Sequence, residues 1–142
     1  MAGHIFKRNE IKKLAKDILD LKPNIIALEG PLGAGKTTLT KEVAKQLGIK
    51  DEITSPTFVL HTEYRVPNTE HHFHHIDCWR MESFSELENI GLNKMLNSKS
   101  LVIIEWADKF KPQITNLKSQ KILWVKIDYG KNKNERIIIL SQ

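Results

Sequence analysis

The chain has 142 residues and 40% of them are apolar, the size and content of one domain around one hydrophobic core, which excludes a multi-domain machine. Its longest aliphatic runs, Ile25 to Leu28, Leu101 to Ile104 and Ile137 to Leu140, are four residues each, against the roughly 18 to 20 of a membrane-spanning helix, so a soluble protein with no membrane partner is expected. The net charge of +5 comes from 22 basic against 17 acidic residues, and residues 105–142 carry eight basic against four acidic, which makes the last quarter a basic surface.

The first ten residues lack the apolar stretch of a signal peptide, and Cys78 is the only cysteine; both features fit a reducing cytoplasm and exclude an intramolecular disulfide. Ile11, Leu14, Ala15, Ile18 and Leu19 fall at helical spacing behind Asn9 and Glu10, which predicts a helix of about 11 residues. Ile25 to Glu29 reads as a strand buried on both faces. It ends in a glycine-rich turn, after which Leu39, Val43, Ala44 and Leu47 trace a second helix closed by Gly48.

Phe58 to Tyr64 and His72 to Asp77 read as two strands joined through the turn at residues 66–69. Ser83 and Glu86 have capping-box spacing, which starts a short helix running to Gly91. One or two further helical turns over Leu92 to Leu96 precede a second buried strand, Leu101 to Glu105. Ile122 to Asp128 and Arg136 to Leu140 flank the turn at residues 130–134 and predict a C-terminal hairpin. Strand and helix alternate, so the expected class is α/β with one domain over residues 1–142.

Residues 30–37, Gly-Pro-Leu-Gly-Ala-Gly-Lys-Thr, match the phosphate-binding pattern G-x-x-x-x-G-K-[ST] and sit between a buried strand and a helix, where that chemistry requires them. The glycines let the backbone wrap a phosphate with its N–H groups inward, and the helix N-terminus adds partial positive charge. Gly33, Ala34, Gly35, Lys36, Thr37 and Thr38 are therefore the expected nucleotide-binding residues. Lys36 reaches the β and γ phosphates in such sites, and the Thr37 hydroxyl ligates Mg²⁺. The fold expectation sharpens to a P-loop NTPase: three layers, α/β/α, around a mixed, mainly parallel sheet that ends in the hairpin.

Glu105, at the end of the second buried strand, is the candidate metal-side carboxylate; the alternative is an ordinary strand-end charge. Trp106 beside it is either a packing aromatic or a partner-facing one. Ser55 and Thr57 lie where P-loop hydrolases place a loop that senses the γ phosphate through hydroxyls, the alternative being a capping turn. His75 and Asp77 project from one strand face, where Asp77 could order the attacking water or a metal-bound water. Strand alternation separates His72 and His74 from His71 and His75, which argues against a zinc site. Cys78 has no neighbouring base and reads as inert.

Taken in order, residues 28–38, Ser55 to Phe58, His75 to Arg80, Glu86 to Gly91 and Ile104 to Asp108 make the chain resemble the TsaE (YjeE) family nearly end to end. The resemblance implies a small ATPase of tRNA threonylcarbamoyladenosine synthesis that works with the TsaD and TsaB proteins, with tRNA met at most indirectly or transiently. It implies ATP and Mg²⁺ as cofactors, Thr37 and Glu105 as metal ligands, and Lys36 as the phosphate lysine. Ser55 and Thr57 become the switch-like hydroxyls, Asp77 a residue needed for hydrolysis, and Trp106 a neighbour of the nucleotide. Adenine is expected against the N-terminal segment and the hairpin. The family usually carries tyrosine where this chain has Trp79, so a phenolic hydroxyl is missing there. Two readings compete. A small-molecule or nucleotide kinase shares the P-loop but brings arginines over the phosphates on a lid, whereas Arg8, Arg65, Arg80 and Arg136 are scattered. A basic RNA-binding module would use the lysine-rich last quarter, which lacks interleaved aromatics and arginines.

Overall fold

The computed structural model describes residues 4–55, 59–117 and 120–142. In chain order the elements are β1 His4–Lys7, α1 Ile11–Asp20, β2 Ile25–Glu29, α2 Lys36–Gln46, β3 His61–Arg65 and β4 His72–Asp77. They continue with α3 Phe84–Asn89, α4 Leu92–Met95, β5 Ser100–Glu105, α5 Lys111–Thr115, β6 Ile122–Tyr129 and β7 Glu135–Ser141. All the strands join one seven-stranded sheet in the order β1-β7-β6-β2-β5-β4-β3.

Strand β2 shows why the sheet needs cover on both sides. Ile26 and Leu28 pack with Leu14, Ile18, Leu39 and Val43 of α1 and α2, while Ile25 and Ala27 pack with Leu87, Met95 and Ile114 of α3, α4 and α5. Alternate side chains of a strand point to opposite faces, so an unbroken apolar run fits only the middle of a three-layer arrangement. The α1 stripe is seated as its spacing requires: Leu14, Ala15 and Ile18 are fully buried and Ile11 and Leu19 pack at the margin.

The four central strands are parallel, through the pairings β6–β2, β2–β5 and β5–β4. Three further pairings, β1–β7, β7–β6 and β4–β3, are antiparallel. The sheet is mixed as expected but not mainly parallel: parallel pairing is confined to the middle, because the hairpin is not an appendage, β6 lying beside β2 and carrying β7 and β1 outward, and β3 adds an antiparallel edge on β4. Strand β1 is absent from the reading of the sequence. With the first two of its four positions and its last exposed, it has almost no apolar pattern to read. The strand pair starts later than expected: Val59 and Leu60 form a turn, with Leu60 at φ 67 and its carbonyl accepting from the Asp77 N–H at 3.0 Å. Phe58 lies outside the described residues. The capping box at α3 is present, with the Ser83 N–H donating to Glu86 Oε2 at 3.2 Å.

Among the described residues no helix is long and apolar enough to cross a membrane. The carboxyl ends of β2, β4 and β5 share one edge of the sheet, with Asp77 directly beside Glu105 in register. Open α/β sheets place ligand sites at that edge.

Gly30, the first glycine of the loop, is required by packing. A Cβ there would sit 2.1 Å from the Ile127 carbonyl oxygen, at φ +151. Overpacking and backbone strain together put the cost of Gly30→Ala at about 3 kcal/mol. Urea denaturation of that variant should show the loss without any nucleotide present.

Candidate nucleotide site

The turn after β2 folds back over the sheet edge, and α2 begins at Lys36 with Gly35 in the left-handed region at φ 116. Two side chains of the hairpin hold the turn from outside. Arg136 Nε donates to the Ala34 carbonyl at 2.8 Å, and the Tyr129 hydroxyl donates to the Leu32 carbonyl. These bonds tie carbonyls of the turn to the hairpin.

Inside the turn lies a cavity of about 280 Å³ bordered by Gly33, Gly35, Lys36, Thr37, Thr38, Ser55, Asp77, Glu105 and Trp106. Nine of the residues expected at the site from sequence therefore meet in one place. Ala34 borders a smaller adjoining cavity of about 80 Å³ with Gly33, Gly35 and Thr38. Thr57 and its neighbour Pro56 lie outside the described residues.

Lys36 is 4% exposed, and its amine donates to the Gly30 carbonyl at 2.7 Å and the Pro31 carbonyl at 2.9 Å. The same amine lies 4.0 Å over the Trp106 ring, a cation–π contact. Burial pushes its pKa below the usual lysine value, and the carboxylates of Glu105, Asp108 and Asp77 pull it partly back. The Thr37 hydroxyl donates to Glu105 Oε1 at 3.0 Å and Oε2 at 3.2 Å. Adjacent oxygens of an octahedral shell with 2.0–2.1 Å bonds are about 2.9 Å apart, so this pair fits a small divalent cation.

Asp77 is 3% exposed; its Oδ1 accepts from the Trp79 backbone N–H at 2.8 Å and its Oδ2 from the Ser55 hydroxyl at 3.3 Å. The carboxylate thereby ties the loop after α2 to the loop after β4. Trp79 packs against Trp106, ring centroids 4.4 Å apart and ring planes tilted by 43°, and remains 48% exposed at the cavity mouth. Its contacts come from the ring and the backbone, so they do not depend on the hydroxyl of a tyrosine. Lys109 fastens the same loop from below, donating to the Trp79 carbonyl at 2.9 Å and the Met81 carbonyl at 2.5 Å. Cys78, fully buried, has its thiol pushed up to about 12, by burial first and then by Asp77; it is not a thiolate at neutral pH.

A family model for the threonylcarbamoyl adenosine biosynthesis protein TsaE matches residues 5–138. The chain belongs to the TsaE family. Among its relatives, the tRNA threonylcarbamoyladenosine biosynthesis protein TsaE of Haemophilus influenzae is 37% identical over 101 residues, 69% of this chain and 63% of that protein. The protein of the same description from Bacillus subtilis is 36% identical over 103 residues, 70% of this chain and 61% of that protein. The matched segment thus spans less than two thirds of either relative. The crystal structure of Bacillus subtilis YdiB aligns with a TM-score of 0.69 at 26% identity, over 99% of this chain and 88% of that one.

Several contacts of this TsaE-family chain were not legible in its sequence. Arg136 and Tyr129 act on a turn roughly 100 residues away in the chain, and no local pattern marks them. The histidines are partly sorted by strand alternation: His75 faces the site beside Asp77, whereas His71 precedes β4 and belongs to neither face. On the opposite face His61 Nε2 and His74 Nδ1 lie 3.0 Å apart, with Glu63 and His72 alongside. Burial lowers both the His61 and the His74 pKa, against a smaller raising effect of Glu63. Because folding depresses these values, the unfolded chain binds more protons once the pH falls below about 6.5, and stability declines from there downward. Urea denaturation at pH 7.5 and 5.5 should show that decline, and His61→Phe should flatten it.

Proposed function

We propose that this chain binds ATP with Mg²⁺ at the turn between β2 and α2 and hydrolyses it, supporting TsaD and TsaB in threonylcarbamoylation of the tRNA adenosine beside the anticodon. The carrying observation is the convergence of Lys36, Thr37, Ser55, Asp77 and Glu105 on one cavity at the carboxyl edge of the sheet. Loop N–H groups and the amino end of α2 favour phosphate there, and Lys36 exchanges its bonds to Gly30 and Pro31 for phosphate oxygens. The Thr37 hydroxyl and the Glu105 carboxylate would hold the cation, which when bound would neutralise charge on the phosphates. Asp77, beside Glu105, orients water for attack, and Ser55 carries the state of the phosphate site to the loop after α2. Adenine takes the adjoining cavity between Phe6, Arg8 and Ile11 on one side and Ile127, Arg136 and Ile138 on the other.

Among the described residues no arginine borders the phosphate cavity, and an arginine over the γ phosphate is worth about 10³- to 10⁵-fold in rate. The chain alone is accordingly a slow ATPase that the TsaD–TsaB surface completes, docking over Trp79 and the mouth of the cavity. Lysines of the last quarter are in part engaged within the fold, Lys109 with two carbonyls and Lys111 with Glu29 at 3.5 Å, which weakens the RNA-binding alternative. The test is steady-state ATP hydrolysis by the chain alone, with TsaD and TsaB, and with tRNA added, at two salt concentrations. Partner stimulation that shrinks at high salt supports the reading. Fast hydrolysis unchanged by the partners leaves only a generic ATPase.

A further inference from the structure

His75 stands on β4 opposite Ile103 of β5, two residues before the pair formed by Asp77 and Glu105. Its side chain is fully buried, and Nε2 lies 2.5 Å from Glu105 Oε2. Its other ring nitrogen, Nδ1, is buried and has no hydrogen-bond partner among the described residues. A buried polar atom left unpaired costs stability. The neighbours on this face of the sheet, Phe73 and Ile103, are apolar, and an aliphatic residue at position 75 would avoid that cost. Among the described residues the ring makes its hydrogen bond through Nε2.

We infer that His75 is a positioning residue for the metal-side carboxylate. Its Nε2–H donates to Glu105 Oε2 and fixes the torsion of the carboxyl group. The carboxylate is thereby held against the Thr37 hydroxyl, which lies 3.0 Å from Oε1 and 3.2 Å from Oε2, and Thr37 and Glu105 both border the cavity. The shared bond from Thr37 alone would leave the carboxylate free to swing about that contact; a second anchor at His75 Nε2 leaves it one orientation. Neighbours that orient a metal ligand in this way typically contribute 10- to 100-fold in metal affinity. The inference rests on the reading that Thr37 and Glu105 hold a divalent cation.

The test compares His75→Gln, whose amide can place an N–H near the position of Nε2, with His75→Asn, whose amide reaches only to the position of Nδ1. Thermal unfolding first establishes that both variants fold. The probe is Mn²⁺ titrated into each full-length chain with ADP and followed by the loss of the free Mn²⁺ signal in electron paramagnetic resonance; ADP affinity is also measured in EDTA. The expected result is Mn²⁺ affinity within about threefold of the unaltered chain for His75→Gln and 10- to 100-fold weaker for His75→Asn, with ADP affinity in EDTA equal in all three. Full Mn²⁺ affinity in His75→Asn, or equal loss in both variants, overturns the inference. In the unaltered chain, ¹⁵N spectra of the imidazole should place the proton on Nε2, and a proton on Nδ1 alone overturns it independently of any variant. Thr37→Ala and Glu105→Gln separate the two levels: if they weaken Mn²⁺ and His75→Asn does not, only the role of His75 fails. If neither weakens Mn²⁺, the metal reading fails with it.

Discussion

Asparagine in place of Asp77 should leave Mg-ATP affinity nearly unchanged and lower partner-stimulated hydrolysis by about 10²- to 10⁴-fold, the contribution of a positioned acid–base group. The local structure permits so clean a separation. The amide oxygen can still accept the Trp79 N–H and the new N–H₂ can donate to the Ser55 oxygen, so the tie between the two loops survives while the charge is lost. Glu105→Gln should behave differently, because that carboxylate meets Thr37 and the proposed cation: Mg²⁺-dependent binding itself should weaken. The check is ATP affinity by calorimetry beside single-turnover hydrolysis for both variants. A loss that appears in turnover but not in affinity marks a transition-state role; full partner-stimulated turnover in Asp77→Asn removes Asp77 from the chemistry.

Lys36→Ala should abolish most of the stabilisation that nucleotide gives the fold. A ligand that binds only the native state stabilises it by RT ln(1 + [L]/Kd), about 2.7 kcal/mol at a concentration of 100 Kd, which is a thermal shift of several degrees for a domain of this size. The amine is presently bonded to two carbonyls of its own loop and stacked on Trp106, so its removal also loosens the unliganded loop. Melting each protein with and without Mg-ATP separates the two effects, since only the difference reports on binding. An unaltered shift in the variant would remove the phosphate loop from the account.

The parts of the fold that sequence made plain are those whose signal is local. The apolar run of β2, the glycine-rich turn and the stripe of α2 are contiguous, and the turn between them places Lys36 and Thr37 without further information. Asp77 and Glu105 were legible from their places on strands, Glu105 after four aliphatic residues and Asp77 two positions beyond His75 on one strand face, and the parallel pairing of β4 and β5 brings the two ends together. What could not be read is set by partners distant in the chain. Strand β1 has too little apolar pattern to declare itself and exists because β7 offers it an edge. Lys109 and Arg136 carry no mark as ordinary basic residues of a lysine-rich quarter, yet one holds the loop of Trp79 and the other the turn at Ala34. Gly30 could be read only as a glycine that a phosphate needs, whereas the close approach of Ile127 independently demands it.

The most direct measurement is a calorimetric titration of ATP into the unaltered chain, once with Mg²⁺ and once with EDTA. Convergence of Lys36, Thr37 and Glu105 on one cavity predicts saturable one-to-one binding that tightens when the cation is present. Absence of saturable binding under both conditions, or an affinity indifferent to Mg²⁺, would contradict a nucleotide site built around the Thr37–Glu105 pair.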